Sequence, residues 1–180
     1  MKIIDIFAEK LCSIAYKKEG SEEYDECEYD RLLELWTDVN YLRQYAKQNN
    51  VKDINKFVRE KLRDAEKIED FLDELTEENE PLDIYFKQLD NNETGFKSLS
   101  FRKGKTSKHD GLRLYAIKID DECFLITGGA IKMSLKNDDH QDTREEMSKI
   151  KKVKAFLQEN GVVDFESFYE FRTEIENNDK

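Results

Sequence analysis

The sequence predicts an α+β protein: a small antiparallel β-sheet packed against an N-terminal helical hairpin, followed by C-terminal helices. Two segments in the first half, residues 29–50 and 53–75, carry apolar side chains at helical spacing. Residues 111–132 alternate like two strands around a polar turn, and two further amphipathic segments follow them. With 180 residues and a 38% hydrophobic composition, we expect residues 1–180 to fold as a single domain with a packed core.

The first 80 residues predict a strand region and then the helical hairpin. Residues 2–18 are rich in β-branched and aromatic side chains, which is typical of one strand or of a hairpin that turns at Glu9 and Lys10. The acidic segment 20–28 then predicts a loop that caps the following helix.

Two amphipathic helices follow, joined by a short polar link. In the first, we assign Trp36 to the buried face, because aromatic residues at helical spacing usually pack in a core rather than stack on nucleic-acid bases. Asp53 is a suitable N-cap for the second helix, residues 53–75. Pro81, the only proline of the chain, prevents that helix from continuing.

Residues 83–135 predict the antiparallel sheet. Its first part, residues 83–89, suits a strand or a partly ordered segment, and residues 90–95 have the composition of a turn. The β half then begins at about Phe96.

The strongest strand signal in the chain lies at residues 112–119 and 123–127. They predict adjacent antiparallel strands joined by the acidic turn 120–122, and the second strand is apolar enough to be buried on both faces. Leu114 and Ala116 fall on one face of the first strand, which we expect to lie against helices.

Residues 142–177 predict two C-terminal helices. Thr143 followed by Glu146 is a capping-box pattern at the start of a helix over residues 143–159, and the Asn-Gly pair after it predicts the end of that helix. An aromatic-rich helix over residues 164–174 should pack back on the body of the protein.

The distribution of charge limits the possible partners. The net charge of −11 opposes non-specific binding to nucleic acid, because that affinity comes largely from Lys and Arg on phosphates. The charge is uneven, however: residues 1–80 carry 13 basic and 22 acidic side chains, whereas residues 95–118 carry seven basic and one acidic. An anionic partner could therefore be held locally at the basic segment.

Several other classes of protein are disfavoured. No apolar run is long enough to span a membrane, and charged residues interrupt the N-terminus, so we expect a cytoplasmic protein. Cys12, Cys27 and Cys123 have no CxxC spacing and are expected to be reduced structural thiols. We expect no cofactor and no metal, because the usual phosphate-loop and zinc motifs are missing, the two histidines are isolated, and residues 138–142 suit a solvated loop better than a metal site.

The remaining candidate for a functional site is a cationic set. It comprises Arg102, Lys103, Lys105, Lys108, His109, Arg113, Tyr115 and Lys132, the last of these after a break at Gly128 and Gly129. Side chains of these types can hold an RNA phosphate and stabilise a pentavalent charge without a metal, provided that a further group moves the 2′-hydroxyl proton. The residues alone also permit a solvated basic loop that balances an acidic protein.

The order of these features resembles the RelE/HigB superfamily of bacterial toxin ribonucleases, and in particular its phage-derived HigB-like branch. The resemblance lies in the basic strand entry, the segment GLRLYAIKIDDECFLITGGAIK and the following TREEMSKIKKVKAFLQENG helix. It covers residues 85–160, and the two leading helices are similar in layout only. The resemblance implies a small antiparallel sheet with a helical hairpin on one face, and metal-independent cleavage of mRNA, commonly on the ribosome.

By position, the resemblance implies phosphate and 2′-hydroxyl roles for Lys103, Lys105, Arg113, Tyr115 and Lys132. We therefore take Arg113, Tyr115 and Lys132 as the candidate catalytic residues. The candidate RNA-binding residues are Arg102, Lys103, Lys105 and Lys108. The partners that the resemblance implies are mRNA or the ribosome, and a helix-turn-helix antitoxin protein.

The chain departs from typical members of that superfamily in three ways. It is longer, it is acidic where they are basic, and its C-terminal segment 174–179 is acidic. A second function class therefore stays open, namely a non-catalytic protein-interaction module that retains the toxin fold.

Overall fold

The computed structural model describes residues 1–7, 10–89, 99–106, 111–133 and 141–178. These residues form seven strands, β1 (Lys2–Phe7), β2 (Leu11–Lys17), β3 (Tyr24–Cys27), β4 (Lys87–Gln88), β5 (Ser100–Lys105), β6 (Leu112–Lys118) and β7 (Phe124–Ile131). They also form five α-helices, α1 (Glu28–Thr37), α2 (Val39–Gln48), α3 (Ile54–Glu77), α4 (Gln141–Glu159) and α5 (Phe165–Asn178), and a 3₁₀ helix, Leu82–Ile84. The mixed α and β content predicted from the sequence is confirmed.

Some of the sequence predictions fall on residues outside these ranges. They are Glu9 of the first turn, the turn at 90–95, the start of the β half near Phe96, Lys108, His109 and residues 138–140 of the acidic run.

The strands form one sheet in the order β1-β2-β7-β6-β5-β4, and β3 pairs with the far part of β2. All neighbouring strands are antiparallel except β2 and β7, which run parallel from Leu11 opposite Phe124 to Ser13 opposite Ile126. The prediction of a purely antiparallel sheet is therefore wrong at this pair. A parallel pair requires a crossover connection, and the helices and strands between β2 and β7 form it.

Helices cover both faces of the sheet. On one face α1, α2 and α3 pack with Leu114 and Ala116, as predicted, and on the other face α4 and α5 pack with Tyr115 and Ile117. Trp36 is 1% exposed and belongs to the first of these two cores. Its predicted place in the core is confirmed.

The N-terminal half differs from the predicted helical hairpin. The strand region comes first, as expected, with β1 and β2 forming an antiparallel hairpin, but the loop expected at 20–28 contains β3 and the helical hairpin is not matched. The helix predicted over residues 29–50 is broken at Asp38, whose carboxylate accepts hydrogen bonds from the backbone N–H groups of Asn40 and Tyr41 and so begins α2. Apolar residues keep helical spacing on both sides of Asp38, which is why periodicity alone does not reveal the break.

Several local predictions are confirmed. Asp53 caps α3 by accepting a hydrogen bond of 2.9 Å from the backbone N–H of Lys56. The helix ends at Glu77, before Pro81. Strands β6 and β7 are antiparallel neighbours joined by the acidic turn at 120–122. Gly161, with a φ of 79°, follows α4 in the left-handed conformation that favours glycine.

Two other predictions about helix and strand ends are wrong. Helix α4 begins at Gln141, so Thr143 and Glu146 lie inside it and are buried rather than forming a capping box. Strand β7 continues through Gly128 and Gly129 to Ile131 instead of stopping at the glycine pair. As a result, Glu146 lies within α4 and its carboxylate contacts the sheet at Gly128, where there is no side chain.

Candidate functional site

Pairing between β5 and β6 places several of the predicted cations next to one another. Lys103 lies opposite Tyr115, and Lys105 lies opposite Arg113, so their side chains share one face of the sheet. Lys132 directly follows β7, and its backbone N–H donates a hydrogen bond of 3.0 Å to the residue before β6. We call Lys103, Lys105, Arg113 and Lys132 the basic cluster.

The charges of the basic cluster act on one another. The pKa of Lys103 is lowered by burial and, in addition, by the positive charges of Arg113, Lys105 and Lys132. Both effects disfavour the protonated form, so the Lys103 amine loses its proton more readily than an ordinary lysine does. Within the described ranges, no carboxylate forms an ion pair with Lys103, Lys105 or Arg113.

Arg113 is the most buried member of the basic cluster. Its side chain lies on the face covered by α4, the residue is 3% exposed, and burial lowers its pKa. Its Nε has no hydrogen-bond partner in the part of the chain that the structure describes. Because buried guanidinium groups are normally paired, this unpartnered Nε is a candidate contact for an anionic ligand.

Tyr115 lies beside Arg113 and is 1% exposed. Burial raises the pKa of its hydroxyl, against the opposing effects of the Arg113 charge and of a hydrogen bond with Thr143 on α4. The hydroxyl is therefore protonated at neutral pH and is held by the helix above it. Tyr115 supports the basic cluster from within the core rather than from its surface.

The structure does not place Arg102 in the basic cluster. Its Nη1 lies 3.3 Å from the carboxylate of Asp83, and its Nε donates a hydrogen bond of 3.1 Å to Ser100. Lys118 pairs with the same aspartate at 2.8 Å. Arg102 thus contributes to an ion-pair network that ties β5 and β6 to the 3₁₀ helix, and Lys108 lies outside the described residues.

A second polar cluster lies near Tyr115 and was not found by sequence analysis. Glu28 of α1 and Glu146 of α4 are 4% and 6% exposed, and both contact the ammonium group of Lys149, at 3.4 and 2.8 Å. Glu28 also accepts two hydrogen bonds from the guanidinium of Arg31, each of 2.8 Å. We call Glu28, Arg31, Glu146 and Lys149 the buried ion cluster.

Glu146 is the carboxylate of the buried ion cluster whose pKa is raised. Burial raises its pKa to about 6, with a further rise from the negative charge of Glu28. Its Oε2 has no hydrogen-bond partner among the described residues. The charge of Glu146 also raises the pKa of Tyr115, which connects the buried ion cluster to the basic cluster electrostatically.

One sequence signal could have revealed the buried ion cluster. Glu28 with Arg31, and Glu146 with Lys149, are pairs three residues apart on a helix. Such pairs are also common on exposed helix faces, so the spacing alone does not distinguish a buried cluster from a solvated one.

The rest of the described chain adds three observations. All three cysteines are buried and form no disulfide. Within the described ranges, no group of three or more His, Cys, Asp or Glu side chains is placed to hold a metal ion. None of the described helices combines the length and apolar character needed to cross a membrane.

Comparison of the chain with models of protein families, with curated proteins and with solved structures gave no match. The functional argument therefore depends on the basic cluster and on the residues packed around it.

Proposed function

We propose that the basic cluster binds an RNA phosphate, and that the protein is a divergent RelE/HigB-like toxin that cleaves mRNA without a metal. The observation that supports this proposal is the meeting of three lysines with the buried guanidinium of Arg113, whose Nε is unpartnered within the described residues. A positive charge buried without a counter-charge is costly. A bound phosphate would supply the missing negative charge.

The residues of the basic cluster suit the chemistry of RNA cleavage. The 2′-oxygen attacks phosphorus as its proton passes to a base, the 5′-oxygen leaves after taking up a proton, and a 2′,3′-cyclic phosphate remains. Lys103 is our candidate base, because its lowered pKa brings it closer to the working pH. Arg113 counters the charge that develops on the phosphoryl oxygens, and protonated Lys132 is our candidate proton donor to the 5′-oxygen.

The remaining candidates have supporting roles in this proposal. Lys105 is exposed at the end of β5 and anchors a phosphate. The hydroxyl of Tyr115 is engaged by Thr143 of α4, so we assign Tyr115 a positioning role, in which it holds Arg113 against the sheet. Arg102 is left out, because Asp83 neutralises it. A small helix-turn-helix antitoxin encoded by an adjacent gene is the partner we propose.

A non-catalytic protein-interaction module with the same fold is the second candidate. The deep burial of Arg113 and Tyr115 favours it, and so does the net charge of −11, which opposes tight contact with RNA. An isolated gene without a neighbouring antitoxin gene would also favour this candidate.

Induced expression in a heterologous bacterium tests the proposal. We expect the wild-type protein to arrest growth, and the purified protein to cleave translated mRNA. Lys103→Gln should abolish both effects, whereas Lys152→Gln, which changes an exposed lysine on α4 outside the cluster, should leave both unchanged. Wild-type protein that neither arrests growth nor cleaves mRNA, with or without ribosomes, would establish the interaction module instead.

A further inference from the structure

A cavity of about 430 Å³ lies between α3, Tyr85 and the end of β5. Its volume falls in the range of about 300–1,000 Å³ that is typical of pockets for small ligands. Helix α3 contributes four side chains to its wall, and Lys105 and Thr106 line it from the sheet. We call this cavity the α3 pocket.

Two hydroxyl groups in the wall of the α3 pocket lack hydrogen-bond partners. The hydroxyl oxygens of Tyr85 and Thr106 are buried, and neither has a partner within the described residues. Tyr85 is 7% exposed. Because buried hydroxyl groups are nearly always hydrogen-bonded, these two leave hydrogen-bonding capacity unused beside the pocket.

The ring of Tyr85 is held firmly, so its hydroxyl is preorganised. A Cβ at Gly104 would lie 1.8 Å from Cε1 of Tyr85, which shows that the ring rests directly on β5. Phe71 of α3 contacts the same ring edge-on, with 5.9 Å between the centroids. Phe71 is 36% exposed, so part of its side chain is accessible in the pocket wall.

Both signs of charge line the α3 pocket. Asp70 and Glu74 lie one turn apart on α3 and share a face of the helix with Lys67. The ammonium group of Lys67 supplies the positive charge, and Lys105 borders the pocket at the end of β5. A matching ligand therefore has hydrogen-bond donors at one edge and acceptors at another, on a flat ring.

We propose that the α3 pocket binds a guanine base. The adjacent N1–H and N2–H₂ donors of guanine match a carboxylate of Asp70 or Glu74, and its O6 and N7 acceptors match a lysine ammonium. The purine ring stacks on Phe71, as bases do on exposed aromatic side chains. The ring nitrogens and O6 also supply acceptors for the unpartnered hydroxyl groups.

The other bases match this pocket less well. Adenine has no carbonyl acceptor and lacks a pair of adjacent donors on its pairing edge, cytosine has one donor group there, and uracil has a single N–H donor. None of them can donate two hydrogen bonds to a carboxylate while accepting a hydrogen bond from a lysine ammonium group. The pocket should therefore bind guanine in preference to the other three bases.

Lys105 lies at the end of β5, between the basic cluster on one face of the sheet and the α3 pocket on the other. If the base belongs to an RNA, this inference rests on the proposed function, because an RNA bound at the basic cluster would have to pass around the end of β5 to place a neighbouring base in the pocket. If the base belongs to a free nucleoside or nucleotide, the pocket works without any cleavage activity.

Calorimetric titration of the full-length protein with nucleosides tests the proposal. We expect guanosine to bind at least about 10-fold more tightly than adenosine, cytidine or uridine. Inosine lacks the 2-amino group and should bind about 10-fold more weakly than guanosine. Absence of guanosine binding at millimolar concentration, or equal binding of all the nucleosides, would overturn the proposal.

Matched variants locate the binding site. Tyr85→Phe removes only an unpartnered hydroxyl, so we expect weaker guanosine binding together with an unchanged or higher melting temperature. Tyr169→Phe, at an exposed position on α5, is the control and should bind guanosine like the wild type. Equal guanosine affinity in Tyr85→Phe and the wild type would show that the base does not lie in this pocket.

Oligonucleotides identify where the base comes from. A guanine-containing tetranucleotide that binds at least about 10-fold more tightly than guanosine, with the gain lost in Lys103→Gln, supports an RNA source. Guanosine binding in a protein that neither arrests growth nor cleaves RNA supports a free nucleoside or nucleotide and removes the proposed ribonuclease function. Growth arrest and RNA cleavage without guanosine binding would remove the pocket proposal alone.

Discussion

The Oε2 atom of Glu146 fills the space that a side chain at Gly128 would need, since a Cβ there would lie only 1.8 Å from that oxygen. The same Cβ would lie 3.3 Å from an oxygen of Glu28. Helix α1 packs on one face of the sheet and α4 on the other. Gly128 is therefore the point at which carboxylates from the two helix layers meet.

Gly128→Ala should destabilise the protein by roughly 1–3 kcal/mol, the usual cost of overpacking a tightly filled site. The methyl group would displace the Glu146 carboxylate from Lys149. Urea denaturation measures the loss in free energy of unfolding. In a Glu146→Ala background the same substitution should cost much less, and an equal cost in both backgrounds would contradict the contact.

The stability of the protein should depend on pH through Glu146. Its pKa is raised to about 6 in the folded protein, so its contribution to stability is complete below its ordinary pKa, about 4.5, and is lost as pH rises through 6. The loss should be about 2 kcal/mol. Glu146→Gln keeps Glu28, Arg31 and Lys149 but cannot titrate. The free energy of unfolding of the wild type should therefore fall by about 2 kcal/mol relative to that of this variant between pH 4.5 and 7.5, and parallel curves would refute the pKa shift.

Trp36→Ala should lower the free energy of unfolding by about 3–5 kcal/mol, because the indole is 1% exposed and its loss leaves a cavity. Val39→Ala, at a position on α2 that is 39% exposed, serves as the control and should change stability by less than about 1 kcal/mol. Thermal denaturation compares the two variants. A Trp36→Ala melt equal to that of the wild type would be incompatible with a buried indole.

Under the proposed ribonuclease function, Arg113→Met should abolish growth arrest while preserving the fold. Methionine fills much of the buried volume but lacks the charge that stabilises the transition state, a loss of about 2–4 kcal/mol for a preorganised donor. Rates of mRNA cleavage measure the effect, and circular dichroism checks folding. Full activity in a folded Arg113→Met protein would remove this residue from the proposed mechanism.

Under the same proposed function, Lys105→Gln should mainly weaken RNA binding and reduce the dependence of that binding on salt. Each phosphate contact to a single strand contributes about 0.7 to the slope of log affinity against log salt concentration, so the slope should fall by about that amount. Binding measured at several salt concentrations gives the slope. The exposed Lys152→Gln is the control, and an equal slope in the two variants would show that Lys105 does not contact phosphate.

Local features of the fold could be predicted from the sequence. The β6–β7 hairpin, the Asp53 cap and the burial of Trp36 each depend on residues close together in the chain, through alternation, capping chemistry or helical spacing. The shared face of Lys103, Lys105 and Arg113 follows from strand alternation in the same way. Each of these patterns can be recognised within a few residues of the sequence.

Other features depend on contacts between distant residues. The parallel pairing of β2 with β7, and the contact of Lys149 with Glu28, join parts of the chain more than about 100 residues apart. The burial of Arg113 likewise depends on how α4 packs on the sheet. Single-residue periodicity contains no information about these pairings, because β-sheet register between remote strands is set by the whole core.

The pairing of β2 with β7 also determines how the chain is assembled. During synthesis β2 leaves the ribosome more than about 100 residues before β7 does, so the edge of β2 that later pairs with β7 is unpaired at first. Closing so long a loop is entropically costly, and strand pairs of this kind form slowly. Until β7 arrives, that edge is open to pairing with other chains. The nascent protein is thus most prone to aggregation while its middle third is being translated.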